Sequence, residues 1–218
     1  SLRHPNIVQL IGGSWNLEDV NVCIVTELCD QGSLQGLLEK EPTRHYLSWA
    51  KHKLSMALGI ARGMAYLHGQ HPPVLHRDLK PENVLVDDGF VARRADVGAS
   101  READLERTME IAGTPMFMAP EMLRREHYDE MVDVWSFACV LECMWTHEQV
   151  YAAAHEQLRR DTGEGADEIV RLVADDKLRP SVEPSSFLCA LIEQCSAFVA
   201  EERCSFAHAV ECLSAPSL

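Results

Sequence analysis

The chain concentrates its most reactive side chains in one short stretch, residues 76–83, which reads HRDLKPEN. The stretch carries the carboxylate of Asp78, the ammonium of Lys80 and the amide of Asn83, and a further carboxylate, Asp96, follows it. Phosphoryl transfer uses a carboxylate near the acceptor hydroxyl, a cation near the transferred phosphate and a bound metal ion. Magnesium prefers oxygen ligands such as carboxylates and amides. These residue types therefore favour phosphoryl transfer as the chemistry.

The segments on either side of this stretch predict how it is held. From Ser48 onward, apolar residues recur at the i, i+3, i+4 and i+7 spacing of a long helix, and Gly69 is a typical stop signal. The apolar face consists of Ala57, Ile60, Ala61, Met64 and Leu67. After the stretch, two apolar runs at residues 84–86 and 90–92 flank the sequence DDG, which indicates a hairpin turn. The hairpin would bring the two carboxylates side by side.

The two ends of the chain differ in their predicted structure. Near the start, residues 6–11 and 20–26 are short β-branched runs separated by a Gly-Gly-Ser segment, which predicts two adjacent strands joined by a hairpin-like turn. The later part of the chain is helical in pattern. Residues 131–145 are apolar almost all round, so we expect a helix that is buried on every side. Apolar stripes at residues 187–195 and 206–213 predict two more helices.

The composition argues against several classes of function. Of 218 residues, 46% are hydrophobic and 25% are charged, as in ordinary globular proteins of one large domain or two small ones. The formal net charge of -14 argues against a general attraction to nucleic acid or to an anionic membrane surface. The longest apolar run, residues 137–145, is too short to span a membrane.

The 8 cysteines show no C-x-x-C spacing, which zinc and redox sites often use. Most of them lie among apolar neighbours in the sequence, so we interpret them as small core residues in a reducing compartment. This pattern predicts an intracellular, cytoplasmic location and does not favour a disulfide framework.

The order of three motifs resembles that in eukaryotic protein kinases. HRDLKPEN resembles the catalytic loop, residues 96–98 (DVG) the metal-binding turn, and residues 119–121 (APE) the anchor of the activation segment. The resemblance extends over nearly all of the chain. It implies an α+β, two-lobe kinase fold, with the end of the small β lobe and the hinge in residues 1–29. A complete, mainly helical large lobe would occupy residues 30–218.

The resemblance implies a role for each residue of the stretch. Asp78 would be the catalytic base that orients the acceptor hydroxyl, and Lys80 would neutralise the γ-phosphate of ATP. Asn83 and Asp96 would hold magnesium. Thr114, in a Gly-Thr-Pro segment of the substrate-docking loop, would bridge to Asp78 and Lys80. The alternative is a charged surface turn that happens to have this sequence, which the ordered downstream motifs disfavour.

A second group of residues resembles the kinase hinge, which binds adenine. Thr26 would be the gatekeeper, and backbone groups of Glu27 and Cys29 would meet the adenine edge. Leu85 would pack beneath the adenine. For Cys29 and Leu85, plain core packing is the alternative interpretation. ATP and Mg²⁺ are therefore the expected cofactors.

Two further resemblances concern the acceptor and the branch of the family. The sequence KPE within the stretch, and GTP at residues 113–115, resemble serine/threonine kinases rather than tyrosine kinases. The segments HPNIVQLIGG and IVTELCDQGSL resemble the tyrosine-kinase-like branch. We therefore expect protein substrates that are phosphorylated on Ser or Thr, with no nucleic-acid partner and no membrane contact evident in this segment.

Three positions match structural residues of the family. Glu121 and Arg203 would form a buried ion pair. Asp133, at the start of the all-apolar helix, would hold the backbone of the catalytic loop. Removing one partner of a buried pair leaves the other charge uncompensated, so these are expected to be scaffold positions.

Arg77, directly before the predicted base, suggests a mode of control. In loops of this kind an anion of the activation segment often pairs with the arginine. That anion would be phosphorylated Thr108 or the carboxylate of Glu110. A solvated Glu110 without this role is the alternative.

The chain departs from the family pattern in two places. Val97 stands where the metal-binding turn usually carries Phe, which predicts looser packing and weakened regulation. No G-x-G-x-x-G motif lies before Asn6, and the strand lysine and helix glutamate that accompany it are not found. We therefore expect a kinase domain that is truncated at its N-terminus. The alternatives are a pseudokinase or scaffold that binds partners or nucleotide without turnover, and a small-molecule phosphotransferase, which would lack the docking segment at residues 113–121.

Overall fold

The computed structural model describes residues 2–16, 21–41, 43–89, 92–94, 101–102, 113–161, 163 and 165–215. Its strands are β1 (Leu10–Asn16), β2 (Asn21–Thr26), β3 (Gly32–Ser33), β4 (Val74–Leu75), β5 (Val84–Val86), β6 (Ala92–Arg94) and β7 (Arg101–Glu102). Its helices are α1 (Leu34–Glu39), α2 (Thr43–Tyr46), α3 (Leu54–His68), α4 (Pro120–Leu123), α5 (Met131–Thr146), α6 (Ala152–Asp161), α7 (Ala166–Ala174), α8 (Cys189–Cys195) and α9 (Phe206–Ser214). The described elements are mostly helical with a few short strands, so the predicted α+β class is confirmed.

Helix α3 confirms the long helix predicted before the HRDLKPEN stretch. All five apolar positions of its predicted face are buried. The helix ends where the backbone N of Gly69 donates to the carbonyl of Ala65 at 3.0 Å. Gly63 lies so close to the start of the chain that a Cβ there would be 2.7 Å from the carbonyl oxygen of Asn6. The segment before β1 is therefore packed directly against α3.

Helix α5 lies in the centre of the core. Every residue from 132 to 144 is buried, which confirms the prediction of a helix buried on all sides. Helix α8 packs on α5, and α9 packs on α3. Phe206 of α9 touches both central helices, because its ring centroid lies 5.4 Å from that of Phe137 and 5.0 Å from that of His68. In the part of the chain that the structure describes, no helix is both long and apolar enough to cross a membrane.

The strand prediction near the start of the chain needs one correction. β1 and β2 pair in antiparallel fashion, as expected, but the predicted turn at Gly12 and Gly13 is wrong. β1 continues through both glycines, which lie opposite Val25 and Ile24. A strand is held by backbone hydrogen bonds, so two residues without side chains do not by themselves end it. The connection comprises residues 17–20, which lie outside the described residues.

The hairpin predicted after the HRDLKPEN stretch is present. β5 lies between β3 and β6, and it pairs with each of them in antiparallel fashion. In the turn, Oδ1 of Asp87 accepts a hydrogen bond from the backbone N of Gly89 at 3.0 Å, which is typical of turns that begin with Asp. β6 spans Ala92–Arg94, and residues 90–91 of the predicted run lie outside the described residues. Residues 96–98, the predicted metal-binding turn, lie outside the described residues.

Candidate functional site

Asp133, in the first turn of α5, holds the backbone of the HRDLKPEN stretch. Its carboxylate accepts hydrogen bonds from the backbone N of His76 and of Arg77, each at 2.8 Å, and Nε2 of His68 lies 2.9 Å from its Oδ2. Burial, the largest single effect, would raise the pKa of Asp133, but the hydrogen bonds and charges of His68 and His76 together outweigh it, so the pKa is lowered. The predicted anchoring by Asp133 is confirmed, and His68 is a partner that the sequence did not show.

Several hydrogen-bond donors converge on the carboxylate of Asp78. Thr114 donates to its Oδ1 twice, from the backbone N at 3.0 Å and from Oγ1 at 3.1 Å. Nδ2 of Asn83 donates to Oδ2 at 2.7 Å, and Nζ of Lys80 lies 3.0 Å from the same oxygen. Lys80 also donates to Oγ1 of Thr114 at 2.6 Å. The structure therefore brings four predicted site residues into one network, including the expected bridge from Thr114.

Thr114 reaches Asp78 because a glycine precedes it. Gly113 has a φ of 116°, in the region that favours glycine. A Cβ at this position would lie 2.4 Å from the carbonyl oxygen of Arg77 and 3.3 Å from Oδ1 of Asp78. The docking segment thus approaches the HRDLKPEN stretch at backbone contact distance. Sequence reasoning missed this requirement, although the glycine directly before Thr114 was a visible signal.

Asn83 is oriented by its amide nitrogen. Nδ2 donates to the backbone carbonyl of Asp78 at 2.8 Å and to the Asp78 carboxylate. Both amide hydrogens are used within the stretch, so the amide oxygen is the atom that can bind a cation. An amide oxygen matches the preference of Mg²⁺ for oxygen ligands, so Asn83 fits one ligand position of the predicted magnesium site. The second predicted ligand, Asp96, lies outside the described residues.

Two of the predicted hinge residues belong to the β1–β2 sheet. Thr26 is exposed and ends β2, opposite Leu10 of β1. The next residue, Glu27, continues this pairing, because its backbone N donates to the carbonyl of Gln9 at 3.0 Å. Its Oε1 also accepts a hydrogen bond from the backbone N of Gln9 at 2.7 Å. The position of both residues is thus set by the first sheet.

The other two predicted hinge residues lie at the second sheet. Cys29 is buried, and its carbonyl accepts a hydrogen bond from the backbone N of Gly32 at 3.1 Å. Gly32 begins β3, which pairs with β5, and Leu85 is the central residue of β5. The structure therefore brings Cys29 and Leu85 to one turn and strand pair.

The predicted ion pair between Glu121 and Arg203 is confirmed. Nη1 and Nη2 of Arg203 donate to the two carboxylate oxygens of Glu121 at 2.6 and 2.8 Å, and both side chains are buried. The guanidinium also donates to the carbonyls of Ala197 and Met131 at 2.8 and 3.0 Å. This arginine therefore ties α4 to the segment that precedes α9.

Glu142 is a buried carboxylate to which sequence reasoning gave no role. Its Oε1 accepts a hydrogen bond from the backbone N of Tyr151 at 2.8 Å, and its Oε2 accepts one from Ser181 at 3.0 Å. Burial raises the pKa of Glu142 to about 7, against the lowering effect of these two hydrogen bonds. A lone acid in an otherwise apolar run was the signal for this position.

Arg77, for which the sequence predicts a regulatory role, is buried. It has a φ of 69° and is 7% exposed. Its guanidinium lies 5.7 Å from the ring centroid of Tyr128, and its Nε has no hydrogen-bond partner among the described residues. Thr108 and Glu110, the predicted anionic partners, lie outside the described residues.

We compared the sequence of the chain with models of known protein families. The family model of the protein kinase domain matches residues 1–213. The chain belongs to the protein kinase family. Its mostly helical structure with few strands is that of a kinase large lobe with part of the small lobe.

Relatives of this kinase domain carry serine/threonine kinase names. The chain is 40% identical over 220 residues to the probable serine/threonine-protein kinase drkC of Dictyostelium discoideum, a match that covers 98% of the chain and 27% of that protein. It is 44% identical over 142 residues to the serine/threonine-protein kinase CTR1 of Arabidopsis thaliana, covering 64% of the chain and 17% of that protein. It is 38% identical over 154 residues to the putative serine/threonine-protein kinase/receptor R826 of Acanthamoeba polyphaga mimivirus. This match covers 71% of the chain and 9% of that protein. The matched region is thus less than a third of each relative's length.

Proposed function

We propose that the chain is the catalytic part of a serine/threonine protein kinase, which transfers the γ-phosphate of ATP to Ser and Thr hydroxyls of protein substrates. The observation that carries this proposal is the shared hydrogen-bond network of Asp78, Lys80, Asn83 and Thr114. The network combines a carboxylate, a cation and an oxygen ligand, which are the groups that phosphoryl transfer needs. The names of the relatives support the same activity.

Asp78 would orient the acceptor hydroxyl and accept its proton. Donors from Thr114 and Asn83 fix the carboxylate before any substrate arrives. A base held in this way loses little freedom when the reacting atoms come together, which favours catalysis. Lys80 lies between Asp78 and Thr114, so its charge is close to the acceptor and would neutralise the transferred phosphate.

Asn83, through its amide oxygen, and Asp96 would hold Mg²⁺. When bound, the metal ion would supply positive charge that offsets the negative charge of the phosphates. At the hinge, backbone groups of Glu27 and Cys29 would meet the adenine edge, with Leu85 beneath the ring and Thr26 as gatekeeper. The turn that joins Cys29 to β3 supports this assignment, because it holds the buried cysteine beside the strand that carries Leu85.

The docking segment gives the proposed acceptor its access to the base. Thr114 joins this segment to the HRDLKPEN stretch through two hydrogen bonds to Asp78 and one from Lys80. A substrate that lies along residues 113–121 would therefore present its hydroxyl beside the carboxylate. The serine/threonine names of the relatives favour Ser and Thr as the acceptors.

Two further assignments accompany the proposed activity. We assign residues 1–29 to the small lobe and hinge, and residues 30–218 to the large lobe, because the β1–β2 sheet pairs separately from the β3–β5–β6 sheet. We also propose an intracellular, reducing location, since all eight cysteines are free thiols. Thiols of this kind are usual in reducing compartments.

The proposal is tested by comparing phosphate transfer by the wild-type protein with that of Asp78→Asn. A generic Ser/Thr protein substrate and Mg-ATP are supplied, and ATP affinity is measured separately with a fluorescent analogue. The substitution should lower kcat by about 10² to 10⁴-fold and leave ATP affinity unchanged, because it removes proton transfer and orientation at the acceptor. The matched control is Asp167→Asn, since Asp167 is exposed in the first turn of α7. Equal rates for the wild type and Asp78→Asn, or ATP binding by the wild type without transfer, would contradict the proposal, and the second result would indicate a pseudokinase.

A further inference from the structure

Two thiols touch at the junction between α8 and α9. Cys195, the last residue of α8, is fully buried, whereas Cys204, just before α9, is half-buried. Their sulfur atoms lie 3.4 Å apart. The backbone N of Cys204 also donates to the carbonyl of Gln194 at 3.2 Å. This main-chain hydrogen bond holds the backbone of Cys204 beside the residue that precedes Cys195.

The two thiols differ in acidity. The hydrogen bond from the Cys195 thiol lowers the pKa of Cys204, against the opposite effect of burial. The same hydrogen bond, together with burial, raises the pKa of Cys195. Cys204 therefore has more thiolate character, and it is also the less buried residue of the pair. The thiolate is the form that reacts with oxidants.

The neighbouring thiols have different partners. Sγ of Cys212 lies 3.3 Å from Nε2 of His208, and that nitrogen lies 3.0 Å from Oε1 of Gln194. Sγ of Cys189 lies 3.9 Å from a carboxylate oxygen of Glu193. Cys189 lies on α8 and Cys212 on α9, the two helices at whose junction the pair lies, so they serve as internal controls for it.

We propose that Cys195 and Cys204 are a redox-active pair, which hydrogen peroxide oxidises to an intrachain disulfide and which a small thiol reduces again. The proposal rests on the contact between the two sulfurs and on the partial exposure of Cys204. It does not depend on the proposed kinase activity, so either can fail without the other.

The chemistry balances with one peroxide for each disulfide. The Cys204 thiolate attacks a peroxide oxygen, the O–O bond breaks, and the products are a sulfenic acid and, once the leaving oxygen takes the thiol proton, water. The sulfur of Cys195 then attacks the sulfur of the sulfenic acid. The S–O bond breaks, the S–S bond forms, and the released hydroxide takes the Cys195 proton as a second water. Two electrons pass from the thiols to the peroxide, and thiol–disulfide exchange with a small thiol returns them.

The disulfide would close the segment that carries Arg203. This arginine lies directly before Cys204 and holds Glu121 through two hydrogen bonds. It also donates to the carbonyl of Ala197, within the same segment. A covalent link between its two ends would restrict the segment in the unfolded chain, so oxidation should raise the midpoint of thermal unfolding.

Peptide mapping tests the pair directly. The wild-type protein is treated with hydrogen peroxide, remaining thiols are alkylated, and the protein is digested with trypsin without reduction. Trypsin cleaves after Arg203, which separates a peptide with Cys189 and Cys195 from a peptide with Cys204 and Cys212, so only a disulfide can join the two peptides. We expect this linked pair of peptides, its loss after dithiothreitol, and a rise in the unfolding midpoint that dithiothreitol reverses.

Variants assign the link to particular sulfurs. Cys204→Ser and Cys195→Ala should abolish the linked peptides, whereas Cys189→Ser and Cys212→Ser should retain them. Circular dichroism checks that each variant is folded. If Cys195→Ala does not fold, the peptide map of the wild-type protein still tests the proposal. A link that persists in Cys204→Ser, a link that requires Cys212, or oxidation of Cys204 to sulfinic acid without any link would overturn the proposal. If the disulfide forms but the midpoint of thermal unfolding does not change, the inference that it restrains the segment around Arg203 is wrong.

Discussion

The carboxylate of Asp78 is held by parts of the chain that are far apart in sequence. Asn83 belongs to the same stretch, but Thr114 comes from the docking segment 36 residues further on. The position of the proposed base therefore depends on the docking segment as much as on its own loop. Changes in that segment should alter phosphate transfer without a direct effect on the hinge.

Gly113→Ala should lower both stability and activity. The new Cβ would lie 2.4 Å from the carbonyl oxygen of Arg77, and the residue would keep a φ of 116° that L-residues rarely adopt. Strain of this kind costs about 1 to 3 kcal/mol, and displacement of Thr114 from Asp78 should slow transfer at least about tenfold. Urea unfolding and kcat measure the two effects.

Gly163→Ala is the matched control for that change. Gly163 also has a positive φ, 74°, but nothing lies within 4 Å of a Cβ built there. It should show backbone strain without the close contact, and transfer should stay near the wild-type rate. If both variants retain that rate, the close approach at Gly113 is not needed for the proposed catalysis.

The buried carboxylate of Glu142 predicts a pH dependence of stability. Burial raises its pKa from 4.5 to about 7, so the folded protein holds this proton up to about pH 7 while the unfolded chain releases it near 4.5. Folding therefore takes up a proton between these values, and the free energy of unfolding falls as pH rises through the window. The contribution of this group amounts to about 3 kcal/mol.

Urea unfolding between pH 4.5 and 8 measures this contribution. The difference in unfolding free energy between the wild type and Glu142→Gln should decrease as pH rises, because the variant cannot ionise at this position. The exposed Glu202→Gln is the matched control. A difference that is constant across the pH range would show that Glu142 does not titrate there.

At the scale of elements, the sequence predicted best where a periodic pattern was long. Helices α3 and α5 were found because many apolar positions repeat along each of them, and the five positions of the predicted face of α3 are all buried. The prediction of a turn at Gly12 was wrong because a glycine marks a turn only where the hydrogen bonds between the two strands end. Here β1 continues through the glycine and stays paired with β2. β4 and β7, with two residues each, are too short to have a periodic signal.

The contacts of the candidate site that could be predicted from the sequence are those between residues of recognisable motifs. The bridge from Thr114 to Asp78 and the ion pair of Glu121 with Arg203 were both expected, since the motifs resemble those of kinases. The hydrogen bond from His68 was not, because it joins the end of α3 to α5 and no local pattern marks it. Contacts of this kind depend on how helices pack and require the structure.

The pair of Glu121 and Arg203 predicts how elements of the large lobe depend on one another. Arg203→Met should lower the free energy of unfolding by about 3 to 5 kcal/mol, because it leaves the buried carboxylate without its partner. Arg124→Met is the control, since Arg124 pairs with Glu126 and Asp176 at the surface. Such exposed pairs contribute about 1 kcal/mol or less. Urea unfolding measures the free energy of unfolding of both variants. An equal decrease in the two would argue against a structural role for the buried pair.

At the scale of the whole molecule, the chain is an acidic kinase domain with a net charge of -14. Its helical core positions a network whose groups match the needs of phosphoryl transfer, and this core extends from α3 through α5 to α9. The matched region is a minor part of each relative's length, from 9% to 27% in the three described above. The activity proposed for this domain therefore has to be measured on the protein itself.

The most direct measurement is the identity of the amino acid that receives phosphate. The wild-type protein and Asp78→Asn are incubated with Mg-ATP and an equimolar pool of peptides that differ only in having Ser, Thr or Tyr as the acceptor, and the phosphorylated residues are quantified. We predict phosphoserine and phosphothreonine from the wild type, and a yield lower by about 10² to 10⁴-fold from Asp78→Asn. Phosphotyrosine as the main product, or equal yields from the two proteins, would contradict the assignment of Asp78 as the base of a serine/threonine kinase.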